Sequence, residues 1–198
     1  MIKADAVVNA AGPWSHQVAD LVGESVTMEL TKGVILAFRE RVISRAINRC
    51  RPPGLNDIIV PVGSLSLLGA TADRVDDPGT VCVSRTEIQE LLDGGEHIIP
   101  SIKSLPTPIA WAGVRPLLRP SDWPLDEPTP RRHQVIDHAK AGLNGFFTVS
   151  GGSLTTHRSM AEDVCNRLCE WLGTDRPCRT ATTVLGETDA PLWPALNT

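Results

Sequence analysis

The chain has 198 residues, a net charge of −4 and an isoelectric point near 5.7. This acidic balance argues against a nucleic-acid-binding surface, because binding to phosphate groups relies on clustered Lys and Arg. Hydrophobic residues make up 41% of the chain and charged residues 21%, a balance that is typical of a folded protein and excludes a disordered chain.

The first predicted element is a strand followed by a turn and a helix. The apolar run Ala4–Asn9 has Val7-Val8 at its centre, which favours a strand covered on both faces, as in a parallel α/β sheet. Gly12-Pro13 ends this strand, and Trp14–Leu21 has the spacing of a helix. Because such a strand needs a neighbour beside it, we expect that a preceding segment of the domain is missing from this chain.

The next part of the chain predicts a β-sheet. Residues 25–38 are extended in character, with a step at Lys32-Gly33. Two further apolar runs, Asp57–Pro61 and Leu65–Thr71, flank Gly63-Ser64. Apolar runs joined by such a short glycine-containing link predict a β-hairpin.

A helix is predicted to begin after Ser84. Glu87 follows three residues later, and this spacing is that of a capping box, in which each side chain accepts a hydrogen bond from the other residue's backbone amide. Gly94-Gly95 weakens the helix before Ile99, since glycine is a poor helix former. The apolar run Ile109–Leu117 then predicts a strand.

The last third of the chain alternates turns with regular structure. Arg119–Pro130 holds four prolines and three acidic residues, which predicts a surface loop. Strands are predicted at Gln134–Asp137 and Phe146–Ser150, joined through the turn residues Gly142–Gly145. A helix from about Leu154 to Leu172 has one apolar face and is followed by a glycine.

Membrane and metal signals are weak. No stretch approaches the roughly 20 apolar residues that span a bilayer, and the amino terminus has no apolar signal-peptide region. The five cysteines form no C-x-x-C pair and suggest no disulfide framework. Cys165 and Cys169 share one face of the predicted last helix, where they form either two packed thiols or half of a metal site. We expect the thiols.

The most informative local feature is the Gly151-Gly152 pair between the strand Phe146–Ser150 and the last helix. Two glycines at a helix start present backbone amides at the positive end of the helix dipole. Glycine also lets a ligand approach the backbone closely, because it has no Cβ. The pattern suits an anionic ligand, such as a phosphate or the pyrimidine end of a reduced flavin. An ordinary tight turn would have the same sequence.

A second feature is Arg115, which stands inside the apolar strand Ala112–Leu117. A lone buried charge is costly, so the guanidinium must find an anion or reach solvent. Its planar fork matches a phosphate or a carboxylate of a ligand. A structural salt bridge to one of the 23 acidic residues is the alternative, and spacing alone does not decide between them.

Four sequence blocks stand in register along the chain. They are Val7–Trp14 (VVNAAGPW), Gly69–Thr71 (GAT), Gly113–Leu117 (GVRPL) and Gly151–Arg158 (GGSLTTHR). Together these blocks resemble the flavin-linked glycerol-3-phosphate dehydrogenases of the D-amino-acid-oxidase-like superfamily, over almost the whole chain. Two further segments look closer to the catalytic subunit of the anaerobic type than to the aerobic single-chain enzyme, namely Ala46–Pro52 (AINRCRP) and Arg176–Cys178 (RPC).

The resemblance implies an α/β (α+β) fold in which one domain is inserted into another. Residues 25–140 would form a substrate-binding domain with a mixed or antiparallel sheet. Residues 1–24 and 141–175 would belong to the remaining part of a FAD-binding Rossmann-like domain, and residues 176–198 would be a tail. The Gly-x-Gly-x-x-Gly turn of that domain is absent from this sequence, so we expect that this chain alone does not retain FAD.

The resemblance also implies an activity. Enzymes of this family oxidise sn-glycerol 3-phosphate to dihydroxyacetone phosphate with FAD, and pass the electrons to a quinone, in the anaerobic type through partner subunits. We therefore expect a cytoplasmic protein that reaches the inner membrane only through partner subunits and has no nucleic-acid partner. The implied site consists of substrate-binding Arg115 and Arg131 and of FAD-contacting Ala10, Ala11, Gly12, Trp14, Gly151, Gly152, Ser153, Leu154 and Thr155.

Two positions depart from the family pattern within the implied catalytic set of Arg115, Ser153 and His157. Ser153 stands where the family usually has Lys beside the substrate and the flavin. A neutral hydroxyl therefore replaces a cation that could assist proton removal or balance the reduced flavin. His157 replaces a Tyr, and its imidazole could titrate near neutral pH. We expect a weaker enzyme, an altered substrate or no activity.

Two other functions stay open. A catalytically silent chain could act only in association with another chain, and both Ser153 and the missing cofactor turn favour that function. Alternatively, an FAD-dependent oxidoreductase of this kind could act on another small acid. Arg131 separates these enzymes, because a phosphate substrate favours two basic anchors whereas a carboxylate can be held by one bidentate Arg.

Overall fold

Two β-sheets organise the part of the chain that the computed structural model describes, which is residues 2–50, 58–120, 122–124 and 126–183. Asp57, Arg51-Pro52 and residues 184–198, which belong to segments predicted from the sequence, lie outside this part. The described strands are β1 (Val7–Asn9), β2 (Met28–Phe38), β3 (Ile47–Asn48), β4 (Ile58–Val62), β5 (Leu65–Gly69), β6 (Asp73–Arg74), β7 (Ile109–Leu118), β8 (His133–Asp137) and β9 (Phe146–Gly151). The described α-helices are α1 (Ser15–Asp20), α2 (Arg85–Glu96) and α3 (His157–Trp171).

The smaller sheet is mixed and has the strand order β1-β9-β8. β1 is parallel to β9, with Val7 opposite Phe146, and β8 is antiparallel to β9. β9 is buried along its whole length, as a central strand should be. β1 differs from the expectation of a strand covered on both faces, because Val7 and Val8 are 52% and 37% exposed. Within the described chain, β9 is the strand that β1 pairs with, so the other edge of β1 is open.

The larger sheet is antiparallel and is built around β2, a single strand that continues through Lys32-Gly33. β7 pairs with β2 over ten positions, from Met28 opposite Leu118 to Ala37 opposite Ile109. The other edge of β2 pairs with β5 and β6, and β4 and β3 extend the sheet beyond β5. The strands of the larger sheet all lie between β1 and β9 in the sequence, whereas β1 and β9 pair with each other. The larger sheet is therefore an insertion, and the predicted α/β (α+β) fold is confirmed.

Helix α2 covers one face of the larger sheet. Leu91 of this helix packs with Val34, Leu36 and Phe38 of β2 in a core that excludes water. The predicted capping box is present, since the Ser84 amide lies 2.9 Å from Glu87 Oε2. The helix continues through Gly94-Gly95 because the second glycine faces the core: a Cβ on Gly95 would lie 2.6 Å from Leu68 Cδ2.

Helix α3 packs on the smaller sheet through the apolar face that its sequence predicts. Val164 is buried against Val135, Phe147 and Val149, and Met160 and Leu168 extend this contact. The α-helix begins at His157, because residues 154–156 form a short 3-10 turn.

Among the described residues no cluster of three or more His, Cys, Asp or Glu could hold a metal, and Cys165 is exposed. None of the described helices has the length and apolar character to cross a membrane.

Candidate functional site

Backbone groups of Gly33 on β2 and of Thr71, just after β5, hold Arg115 of β7 in place. Its Nη1 donates a hydrogen bond to the carbonyl oxygen of Thr71 at 3.0 Å. Its guanidinium lies over Gly33 of β2, so closely that a Cβ on Gly33 would be 2.4 Å from Nη2. A side chain with a long flexible stem is therefore fixed in one position above the sheet.

Thr71 acts as the link between Arg115 and the sheet. Its side chain is buried, and its Oγ1 accepts a hydrogen bond from the Val34 amide at 3.0 Å. Its own amide lies 3.4 Å from the Val34 carbonyl oxygen. The Gly69–Thr71 block thus anchors the residue that holds Arg115, a positioning role that the sequence did not indicate. The available signal was a hydroxyl at the end of an apolar strand.

The charge of Arg115 has no anionic partner among the described residues, which form no ion pair with it. Burial lowers the pKa of its guanidinium, and the positive charge of Arg131 lowers it further. The positive charge of Arg131 is therefore close enough to Arg115 to act on its ionisation. Arg131 is exposed. Such a pair is electrostatically suited to a bound anion, and the alternative of a structural salt bridge to Arg115 is not observed in the described chain.

The Gly151-Gly152 turn has the positive backbone angles that favour glycine, with φ values of +81° and +73°. It is also crowded: a Cβ would lie 2.7 Å from the Arg132 carbonyl oxygen at Gly151 and 3.0 Å from Met160 Sδ at Gly152. The turn itself therefore requires both glycines, whether or not a ligand is bound.

The amide of Ser153 differs from the expectation of an unpaired donor at this turn. It donates to Thr156 Oγ1 at 3.3 Å, and the Ser153 hydroxyl lies 2.9 Å from Thr155 Oγ1. His157 is exposed, and its Nδ1 donates to the Leu154 carbonyl oxygen at 2.8 Å. Its Nε2 is therefore the ring nitrogen that remains for other contacts.

The first turn, which follows β1, is organised by Asn9, a residue that sequence reasoning passed over. Its Nδ2 donates to the Ser15 carbonyl oxygen at 2.8 Å and to Thr148 Oγ1 at 3.3 Å. Its Oδ1 accepts a hydrogen bond from the Ala11 amide at 3.3 Å. One buried amide side chain thus joins β1, β9 and the turn, in which Gly12 has a φ of +57° and Trp14 is 45% exposed.

The two turns meet at a pocket of about 600 Å³ between the ends of β1 and β9 and helix α3. Its walls are mainly apolar and include Val8, Val149 and Val164. Pro116, which directly follows Arg115, also lines it. The predicted site residues that it brings together are Ala10, Gly151, Gly152, Ser153, Leu154 and His157. Those that do not line it are Ala11, Gly12, Trp14, Thr155, Arg115 and Arg131.

This arrangement fits part of a flavin better than a free phosphate. An apolar wall with backbone groups at one end suits an extended ring system that carries polar atoms along one edge. A phosphate, in contrast, needs several hydrogen-bond donors, and neither Arg115 nor Arg131 lines the pocket. The described residues therefore fit the ring portion of FAD, whereas the sequence contains no glycine-rich loop for its pyrophosphate.

Comparison with known proteins gives a family match over most of the chain. The family described as "FAD dependent oxidoreductase" matches residues 2–165. Among curated proteins, the chain is 38% identical over 183 residues to an anaerobic glycerol-3-phosphate dehydrogenase component of Haloferax volcanii, covering 91% of this chain and 31% of that protein. It is 37% identical over 193 residues to the corresponding component of Escherichia coli K12, covering 96% and 36%. The chain thus spans about a third of the length of these relatives, both of which are named as single subunits of that dehydrogenase.

Solved structures agree on the fold. Glycerol-3-phosphate dehydrogenase from Bacillus halodurans, complexed with FAD, has a TM-score of 0.69 and 24% identity, covering 91% of this chain and 35% of that one. Glycine oxidase from Bacillus cereus has a TM-score of 0.61 and 19% identity, covering 89% and 45%. Both similarities extend over most of this chain and concern its fold.

Proposed function

Because the chain belongs to the FAD dependent oxidoreductase family, we propose that it supplies part of the substrate and flavin site of a glycerol-3-phosphate dehydrogenase. One observation carries this proposal. Arg115 is held by Thr71 and Gly33 and has no carboxylate partner among the described residues. Burial and the positive charge of Arg131 lower the pKa of the Arg115 guanidinium. Two neighbouring cations that have no ion-pair partner among the described residues carry an electrostatic cost, which a bound dianion would relieve.

The proposed roles of the two arginines differ. Arg115 is partly buried and fixed, so it holds one face of the substrate phosphate in a defined geometry. Arg131 is exposed and provides a second positive charge at the mouth of the site. A pair of cations matches the charge of a phosphate monoester, which is about −1.5 to −2 near pH 7, better than the single charge of a carboxylate.

The pocket between the ends of β1 and β9 and helix α3 would hold the flavin. Ala10 and the Gly151–Leu154 turn would face its polar edge, and the apolar side chains of α3 would exclude water from the ring. FAD, when bound, supplies the hydride acceptor for oxidation of the secondary alcohol to a ketone. The hydroxyl proton must also leave the substrate, and His157 Nε2 is available to receive it because Nδ1 is engaged. Ser153 contributes a hydroxyl and no cation.

Residues 25–140 would form the substrate side of this site, and residues 1–24 and 141–175 the cofactor side. The electrons would pass to a quinone or to a partner protein, which is consistent with the naming of both curated relatives as subunits. In this proposal the protein is cytoplasmic and reaches the inner membrane through partner subunits. FAD retention would require residues beyond those of this chain, because no pyrophosphate loop is present in the sequence.

A second function is favoured by a separate observation. The open edge of β1 and its exposed Val7 and Val8 are suited to pairing with another chain or segment. With Ser153 in place of a cation, the chain could serve as a silent partner that completes a sheet. An oxidoreductase for another small acid is the third possibility. The arginine pair argues against it, because two cations match a phosphate monoester better than the single charge of a carboxylate.

Calorimetric titration with sn-glycerol 3-phosphate, in the presence and absence of FAD, tests the proposal. We expect binding of glycerol 3-phosphate but not of glycerol, with Arg115→Ala abolishing binding and Arg131→Ala weakening it by about tenfold. Arg45→Ala is the matched control, since Arg45 is exposed just before β3, four strand intervals or about 19 Å from β7. Unchanged binding of glycerol 3-phosphate by Arg131→Ala would show that Arg131 is not part of the site. Flavin absorbance of the same samples reports cofactor retention independently.

A further inference from the structure

Two glycines stand directly opposite each other in the centre of the β2–β7 pair. Gly33 on β2 is in register with Gly113 on β7. A glycine inside a strand weakens it, because the backbone loses more freedom on folding and there is no side chain to pack. A pair of glycines opposite each other therefore calls for a structural or functional explanation at each position.

The explanation for the missing side chain differs between the two glycines. At Gly33 the guanidinium of Arg115 occupies the space that a side chain would fill, with Nη2 only 2.4 Å from an ideal Cβ. At Gly113 a Cβ would meet no heavy atom within 4 Å, and the residue is exposed. Its φ is not positive, so the backbone does not demand glycine either. Nothing within the described protein explains why Gly113 lacks a side chain.

The empty space over Gly113 adjoins the anion site. Gly113 and Arg115 are two residues apart on one strand and so face the same side of the sheet, about 6.6 Å from each other. The guanidinium of Arg115 lies over Gly33, which is about 5 Å across the strands from Gly113. Trp111, 43% exposed, is the next residue of the strand on that face.

We propose that Gly113 is a specificity-determining residue, which keeps open the space that the carbon chain of a small phosphorylated alcohol occupies while Arg115 holds its phosphate. Glycine in a strand is typical of places where a ligand approaches the backbone closely. This inference rests on the proposed function, because it assigns the substrate of that site a position.

A volume series at Gly113 tests the inference, because stability and binding should move in opposite directions. In Gly113→Ala and Gly113→Val the melting temperature should be unchanged or higher, since a side chain favours the strand and meets no neighbour. The dissociation constant for sn-glycerol 3-phosphate should rise by about tenfold with Ala and further with Val. Binding of inorganic phosphate, which needs only the arginines, should change by less than about twofold.

The outcomes separate the two proposals. If the unmodified chain binds glycerol 3-phosphate and both variants bind it equally well, the role of Gly113 is wrong while the proposed function stands. If the variants lose inorganic phosphate binding together with glycerol 3-phosphate binding, the substitutions act on the arginines and not on the space for the carbon chain, and the inference is overturned. If the unmodified chain binds neither glycerol 3-phosphate nor inorganic phosphate, the proposed function fails, and the role of Gly113 fails with it.

Discussion

The guanidinium of Arg115 lies against the backbone of Gly33 on the neighbouring strand, in the space where any other residue would carry its Cβ. This contact and the hydrogen bond to Thr71 fix the direction of the charge. The glycine is thus part of the proposed anion site although it carries no functional group.

We expect Gly33→Ala to separate binding from stability. The new methyl group would displace the end of a flexible side chain, so the free energy of unfolding should change by less than about 1 kcal/mol. The guanidinium would leave its position above the sheet, and affinity for sn-glycerol 3-phosphate should fall by about tenfold. Chemical denaturation and calorimetric titration of the same sample measure both quantities. Retained affinity would show that Arg115 needs no fixed position.

Gly95→Ala is the matched variant with the opposite expectation. Alanine should favour helix α2 by about 0.5–1 kcal/mol, but its methyl would lie 2.6 Å from Leu68 Cδ2 and 3.0 Å from Ile102 Cδ1 in the core. Overpacking of this kind costs about 1–3 kcal/mol, so we expect a net loss of stability of about 1 kcal/mol. Anion affinity should be unchanged. A stabilised variant would mean that the core can rearrange around the methyl group.

Glu29 should make stability depend on acid pH. Hydrogen bonds from the Thr129 hydroxyl, then from Arg119, lower the pKa of this carboxyl, and the charges of Arg74 and Arg119 contribute. Because the folded pKa lies below the unfolded value of 4.5, the stabilisation is present above about pH 4.5 and is lost as the pH falls through the folded pKa.

Melting temperatures of the unmodified chain and of Glu29→Gln, measured from pH 7 to pH 3, check this expectation. The variant should be less stable at pH 7, and the difference between the two proteins should narrow below about pH 4.5. Glu170→Gln, an exposed carboxyl on α3, serves as the control. A constant difference across this range would contradict a role for Glu29 ionisation.

Asn9→Ala should be strongly destabilising. The change removes the Asn9 donor to the buried Ser15 carbonyl and one partner of the Thr148 hydroxyl, which keeps its contact with His138 Nε2 at 2.9 Å, and we expect a loss of about 2–3 kcal/mol. Asn144→Ala, at an exposed turn position, should remain within about 0.5 kcal/mol of the unmodified chain. Urea denaturation compares the two variants. Equal losses would show that the Asn9 contacts contribute little.

Ser153→Lys should raise turnover in a flavin-loaded form if the absent cation limits the proposed reaction. Ser153 is exposed beside the pocket, so a lysine can be accommodated there. A positioned charge of this kind is worth about a hundredfold in rate. Ser159→Lys places the same charge on an exposed residue of α3 that does not line the pocket, and it should have little effect. An unchanged or lower rate in Ser153→Lys would indicate that this site has other chemistry.

Local patterns in the sequence determined most of the secondary structure. The Ser84–Glu87 capping box, the hairpin around Gly63-Ser64 and the apolar face of α3 follow from residues a few positions apart, so neighbours along the chain suffice to predict them. The resemblance of four short blocks likewise indicated the FAD dependent oxidoreductase family before any contact was known.

Only the tertiary structure decided what the functional residues contact. Arg115 meets a carbonyl 44 positions away at Thr71, and Asn9 meets a hydroxyl 139 positions away at Thr148. The sequence shows Gly33 and Gly113 as the same residue, yet one is covered by a guanidinium and the other faces open space. Periodicity and spacing report which face of a strand a side chain takes, but strand register determines which residue lies opposite it. That register is set by packing across the whole sheet.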